Sequence, residues 1–177
     1  MLEKINYNFN KNMPIPDRFI NGQALGAVSQ LRYGLFPMSY NGCEIIAVHN
    51  YMRLQGIRTN MADLALEIYP KGSVLMGLFG SNPYMLRYYF QKRGMTEHGI
   101  TDYERFKREF PMSGSAIISF WTKRPLTSSL HTVAVESIEN GRVRVYNYSN
   151  SRPDPREFDG FDDFVKRGSH FIIGYIK

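Results

Sequence analysis

Three residues in this chain have the types and the order that thiol chemistry needs: Cys43, His131 and Asn147. Cys43 is the only cysteine among 177 residues. It follows the polar turn "SYNG" and opens the apolar stretch "CEIIAVHNYMRLQG". A thiol becomes a useful nucleophile when its pKa is lowered and a base stands nearby. A helix N-terminus meets part of the first condition, because the helix dipole favours the thiolate there. Gly42, lacking a side chain, would let a substrate come close to the backbone. The same stretch also describes a small buried filler at the head of a core helix, the ordinary role of a free cysteine. The choice between the two rests on whether a base and a group to orient it lie elsewhere in the chain.

Four histidines are available as the base. His49 lies inside the Cys43 helix, six positions on, and well round the barrel from the thiol. His98 reads as a loop residue, and His170 begins a strand with nothing polar in pattern around it. His131 differs, because it heads the strand "HTVAVESI" after the loop "TKRPLTSSL", where a side chain can face a cleft. That strand continues through "ENG" into "RVRVYNY". A two-residue "NG" turn would put the valines of the two strands on opposite faces. A three-residue loop, Glu139-Asn140-Gly141 with Gly141 left-handed, pairs Val135 with Val145 and Ser137 with Val143. Hydrophobic patterning selects this second register, in which Val133, Val135, Val143 and Val145 share one face. Asn147 then lies diagonal to His131 on that face, within hydrogen-bond reach. An Asn that orients an imidazole completes a Cys-His-Asn arrangement; Asn147 also fits an ordinary strand-end turn.

The elements that must position these residues follow from the pattern. Residues 1–40 read as an irregular N-terminal arm rich in Asn, Pro and Gly. The Cys43 helix is apolar on nearly all sides, which belongs in the middle of a domain, and Gly56 stops it. "TNMADLALEIY", capped by Thr59 or Asn60, is a second helix. "NPYMLRYYFQKRG" is a third, with Asn82 as cap and Pro83 in its first turn, and "DYERFKREF" is another. "SAIISFW", "HTVAVESI", "RVRVYNY" and "HFIIGYIK" are strands, and "FDDFVKRG" a helical turn before the last. Helices first and an antiparallel sheet after them make an α+β fold, expected as one domain over residues 1–177.

Composition narrows the function classes. A 43% hydrophobic and 14% aromatic content suits a folded core. One Cys excludes an intrachain disulfide and a cysteine-rich zinc site, and no two histidines have ligand-like spacing, so neither metal nor cofactor is expected. The formal charge of +6 is spread over the chain with acids between, which suits a solvated basic surface and not a nucleic-acid groove. The N-terminus has no apolar signal-peptide run, and the longest apolar runs are too short to cross a bilayer, so a cytoplasmic protein with no membrane partner is expected.

The blocks "NGCEIIAVHNYMRLQG" and "HTVAVESIENGRVRVYN" together resemble the papain-like cysteine peptidases, most closely the C39-like, bacteriocin-leader-type families. That resemblance implies a papain-like fold with the central helix packed on the sheet. It also implies Cys43 as nucleophile, His131 as general base and acid, Asn147 as the orienting residue, and a peptide or amide as substrate. These families usually place a Gln a few residues before the Cys as oxyanion donor, but Pro37 stands six residues before Cys43. Gln30, or Asn41 together with the Cys43 backbone N–H, are the remaining candidates for that role. An acyltransferase using the same triad and a catalytically inert binding module are the alternatives. The apolar loop "GSVLMGLFGSNPYM" serves either as a cleft wall or as a partner surface.

Overall fold

The computed structural model describes residues 1–122, 129–166 and 169–177. Most of the loop ahead of His131 (123–128), and 167–168 at the end of "FDDFVKRG", lie outside the described residues. The chain runs α1 (Leu2–Asn10), β1 (Arg32–Tyr33), β2 (Phe36–Pro37), α2 (Met38–Asn41), α3 (Cys43–Leu54), α4 (Met61–Gly72) and α5 (Leu86–Lys92). It continues through β3 (His98–Ile100), α6 (Tyr103–Ser113), β4 (Ser115–Thr122), β5 (Ser129–Ser137), β6 (Val143–Tyr146), β7 (Arg156–Phe158), α7 (Phe161–Lys166) and β8 (Ser169–Ile176).

Among the described residues the large sheet has six strands in the order β3-β8-β4-β5-β6-β7, with every neighbour antiparallel. The expected α+β arrangement is therefore present: α1 to α5 precede the sheet, while α6 and α7 lie between its strands. The β5–β6 register is the one that the valine pattern selects, with Val135 opposite Val145 and Ser137 opposite Val143. Gly141 is left-handed at φ 73°, as the three-residue loop requires, and Asn140 before it is left-handed too.

Both faces of this sheet are covered, and apolar burial on each is what holds the layers together. On one face lies α3, buried from Glu44 to Met52. Its Ile45, Ile46, Val48 and Tyr51 share a cluster with Ile117, Ala134, Ile173 and Tyr175 of the sheet. The other face carries the four valines together with a group of aromatic rings from α6 and α7, including Phe106, Phe110, Phe161 and Phe164. Asn60 caps α4 by accepting from the N–H groups of Ala62 and Asp63, and Asp102 caps α6 through the Arg105 N–H.

The N-terminal arm is more ordered than its composition suggests. Leu2–Asn10 is a helix, and buried asparagines clamp the rest to the body. Asn10 accepts from the Arg32 N–H at 2.8 Å and donates to the Arg32 carbonyl at 2.9 Å. Asn50, fully buried in α3, makes the same two-point pairing with Ile20, both bonds 2.8 Å. Each amide thus stands in for a neighbouring strand, a role that composition alone does not reveal. Asn50→Ala is expected to cost about 2–3 kcal/mol, because it leaves a buried N–H and C=O of Ile20 unpaired. Urea unfolding at neutral pH measures it, and a loss below about 0.5 kcal/mol would show that the clamp does not matter.

Candidate functional site

Cys43 is the first residue of α3 and follows Gly42 without a side-chain cap. Gly42 owes its small size to packing, not to access for a substrate. A Cβ there would lie 2.6 Å from the Met38 Cβ and 2.7 Å from the Met38 carbonyl oxygen. The close turn of α2 into α3 therefore requires a glycine, and this turn aims the Cys43 side chain at the sheet.

Cys43 sits on the floor of a cleft of about 270 Å³. The cleft walls are largely apolar, formed by Tyr40, Leu78, Phe79, Trp121 and Leu130, with Asn41, Ser81 and Thr132 supplying polar groups. Phe79 and Trp121 remain 69% and 43% exposed, so a substantial part of this apolar rim faces solvent. The wall segment around Leu75 to Gly80 has an unusual backbone. Leu75 and Met76 both have positive φ, 45° and 55°, a conformation that costs free energy for residues with side chains. Three hydrogen bonds fix the segment: Leu35 N–H to the Met76 carbonyl, Asn41 Nδ2 to the Gly77 carbonyl, and Tyr40 hydroxyl to the Leu78 carbonyl.

The register of β5 decides what meets the thiol. Thr132 shares the α3 face with Ala134, and its hydroxyl lies 2.9 Å from that of Ser119 on β4. Burial pushes the Cys43 thiol up to about 11, while the Thr132 N–H and hydroxyl facing the sulfur work in the opposite direction. Glu44 also disfavours the thiolate.

His131 stands one residue earlier, so its strand position belongs to the valine face. It pairs across the sheet with Phe120, and the two rings meet edge to face at 5.8 Å. Its Nε2–H donates to the Asn147 backbone carbonyl at 2.8 Å. The link between His131 and Asn147 that the hairpin register implies is present, but the main chain makes it. The Asn147 side chain points elsewhere: its Oδ1 accepts from the Gln23 N–H, and its Nδ2 donates to Gln23 Oε1. The cause is local. Asn147 is left-handed at φ 57°, which ends β6 and turns its carbonyl, not its amide, towards His131.

The other candidates fall as follows. Asn41 is buried beside Cys43, but its Nδ2 already donates to the carbonyls of Tyr33 and Gly77. Its amide protons hold the wall loop and are not directed at an oxyanion. Gln30 is exposed at the end of a short 3-10 turn, away from the cleft lining. His49 is a core residue, with its ring nitrogens on Thr59 Oγ1 and the Arg18 carbonyl. His98 and His170 are exposed on the sheet. Among the described residues no group of three or more metal-ligating side chains exists. No helix among them is long and apolar enough to cross a membrane.

Sequence reasoning passes over Gln23 and Thr132. Gln23 is buried, and its Nε2 donates to the Ser39 carbonyl at 3.1 Å, so it joins Asn147 to the segment leading into Cys43. No spacing rule marks it, because it comes from the arm. Thr132 carried a readable signal, since alternation places it opposite the valine face.

No protein-family model and no curated protein matches this chain. Among solved structures, the chain is similar to a protein from Bacillus anthracis named provisionally as a C39-like peptidase. The two share 16% identity over 93% of this chain and 96% of that one, with a TM-score of 0.49.

Proposed function

We propose that this chain is a papain-like thiol hydrolase, most simply a peptidase acting on a peptide or amide bond. The observation that carries this reading is the placement of the sole cysteine, at the first residue of a buried helix and on the floor of an open cleft. The state of His131 supports it. A carbonyl can only accept, so the Asn147 oxygen fixes the imidazole proton on Nε2, and the neutral ring's basic lone pair is then on Nδ1. In this reading Nδ1 takes the Cys43 proton as sulfur attacks the carbonyl carbon, and later returns it to the leaving amine. Asn147 orients the ring through its main chain, and the Cys43 N–H at the start of α3 faces the developing oxyanion.

One observation favours a second reading, a binding module that keeps the fold without the chemistry. The Thr132 N–H and hydroxyl face the sulfur, and burial holds the thiol well above its ordinary range. Iodoacetamide labelling across pH separates the two readings, using wild type, Cys43→Ala and His131→Ala. A hydrolase labels at Cys43 faster than free cysteine below about pH 7, and loses about 100-fold of that rate in His131→Ala. A binding module labels at the same rate with and without His131, and only as the pH climbs towards about 11. Product analysis with added amine distinguishes hydrolysis from acyl transfer, since both pass through one acyl-enzyme.

A further inference from the structure

Behind the cleft lies a group of buried oxygens that fall outside full hydrogen-bond geometry, with the Ser81 hydroxyl the group nearest to Glu44 and Tyr33. Among the described residues nine buried side-chain polar atoms lack a hydrogen-bond partner. Five of them belong to four residues: both carboxyl oxygens of Glu44, the Tyr33 hydroxyl, Ser73 Oγ and Ser81 Oγ. Native interiors leave few such atoms unsatisfied, so their concentration in one place marks a polar site.

The four residues are neighbours in space. Ser73 and Ser81 pair in an antiparallel bridge, and the Asn82 N–H donates to the Gly72 carbonyl at 2.8 Å. Gly72 keeps the space open. A Cβ at that position would lie 3.1 Å from the Tyr33 hydroxyl and 3.9 Å from Glu44 Oε2, and would strike Ile68 at 2.6 Å. Gly72 ends α4 without a left-handed backbone, so its lack of a side chain serves room and not conformation. The charge environment is nearly neutral. The titratable groups facing Glu44 are Cys43 beside it on α3, Tyr33 from β1 and Tyr175 from β8. Among the described residues no cation contributes at the carboxyl, and Ser81 is the group there that favours its charge.

We propose that Tyr33, Glu44, Ser73 and Ser81 enclose an internal water site behind the Cys43 cleft, and that the hydrated carboxyl exchanges protons with the cleft through Ser81. The donor and acceptor set suits water. Three hydroxyls and one carboxylic acid both give and accept hydrogen bonds, and one or two waters would complete the hydrogen bonding of these atoms. A carboxyl without a counter-charge stays protonated in such surroundings, and burial pushes Glu44 up to about 8. Ser81 belongs to both places, since it lines the cleft and faces Glu44. In the exchange the carboxyl O–H proton passes to the Ser81 oxygen, while the Ser81 proton passes through the enclosed water to the cleft. Charge and protons balance, and Glu44 is left as carboxylate. The site does not depend on the hydrolase reading, because it is defined without His131.

Infrared difference spectra of the full chain test the carboxyl, recorded in H2O and D2O while the pH is raised from about 5 to about 9. Wild type is expected to show a protonated-carboxyl band at neutral pH that disappears near pH 8 and is absent from Glu44→Gln. Ser81→Ala should move that disappearance to higher pH. A high-resolution crystal structure is expected to place water within hydrogen-bond reach of at least two of the four side chains. A dry cavity, an ionised carboxyl at pH 6, or a stability that depends on sodium or potassium in place of choline would each overturn the proposal. The exchange with the cleft is read from the pH profile of Cys43 alkylation, with two ionisations in wild type and one in Glu44→Gln. If Cys43 resists alkylation altogether, deuterium exchange of the carboxyl decides: fast exchange that slows in Ser81→Ala supports the route, and exchange unaffected by Ser81→Ala removes it.

Discussion

Exchanging Glu44 for glutamine is expected to leave stability about unchanged near pH 4 and to raise it above wild type by on the order of 4 kcal/mol near pH 9. The sign follows from where the proton is held. Glu44 titrates at 4.5 in the reference state and at about 8 when buried in the folded chain. Below 4.5 both states keep the proton, and the group adds no pH dependence. Between 4.5 and about 8 the unfolded chain ionises while the folded chain does not. The folded state then binds more protons, so wild-type stability falls as pH rises, and above about 8 the loss is complete. Glutamine has no proton to lose, and its amide keeps one donor and one acceptor in the same volume. Since domains are stable by only about 5–15 kcal/mol, the effect is a large share of the total. Urea unfolding of the two proteins from pH 4 to pH 9 measures the difference directly, and parallel stability curves would show that Glu44 is ionised when folded.

Gly34→Ala is expected to cost about 3 kcal/mol or more and to disturb the cleft wall at a distance. Gly34 is the first central residue of the two-residue turn joining β1 and β2, at φ 67°, the position where a hairpin of this length calls for glycine. A side chain there is strained by the backbone alone, but the larger effect is spatial. Its Cβ would lie 2.0 Å from the Met76 carbonyl oxygen. That oxygen accepts from the Leu35 N–H at 2.9 Å, one of the bonds that hold the strained segment with Leu75 and Met76 in place. Asn6 on α1 also donates to the Gly34 carbonyl at 2.8 Å, so the turn joins the N-terminal helix to the cleft. Backbone atoms cannot rotate out of the way as a side-chain end can, so the turn or the wall must shift. A drop in the urea midpoint with a changed Trp121 emission is the expected result, Trp121 being the only tryptophan and lying on the cleft rim. A midpoint within about 0.5 kcal/mol of wild type would show that the hairpin yields freely.

Much of the frame around Cys43 was readable in advance because its elements depend on local pattern. The largely apolar stretch from Ile45 to Met52 reads as a buried helix, and α3 is that helix. The valines of β5 and β6 share a face only in the three-residue-loop register, which is the register found. Glycine at 141 supplied the left-handed residue that the loop needs. Short edge strands such as β3 and β7 escaped notice because three residues carry too little periodicity to separate from a loop. The helix at Leu2–Asn10 has few apolar residues on its buried side, and Asn6 and Asn10 are what fix it.

The sequence by itself determined that Cys43 opens a buried helix, that a hairpin carries His131 towards Asn147, and which valines lie together. It could not determine which face of the sheet α3 would cover. Alternation sorts residues into two sets and says nothing about which set meets which helix when both are buried, as they are in β4 and β5. The tertiary structure gave the valine face to the rings of α6 and α7, and with it the strand position of His131. It left Thr132 facing the sulfur and enclosed Glu44 among hydroxyls without a counter-charge. Those outcomes depend on contacts between segments far apart in the chain, which no local pattern encodes.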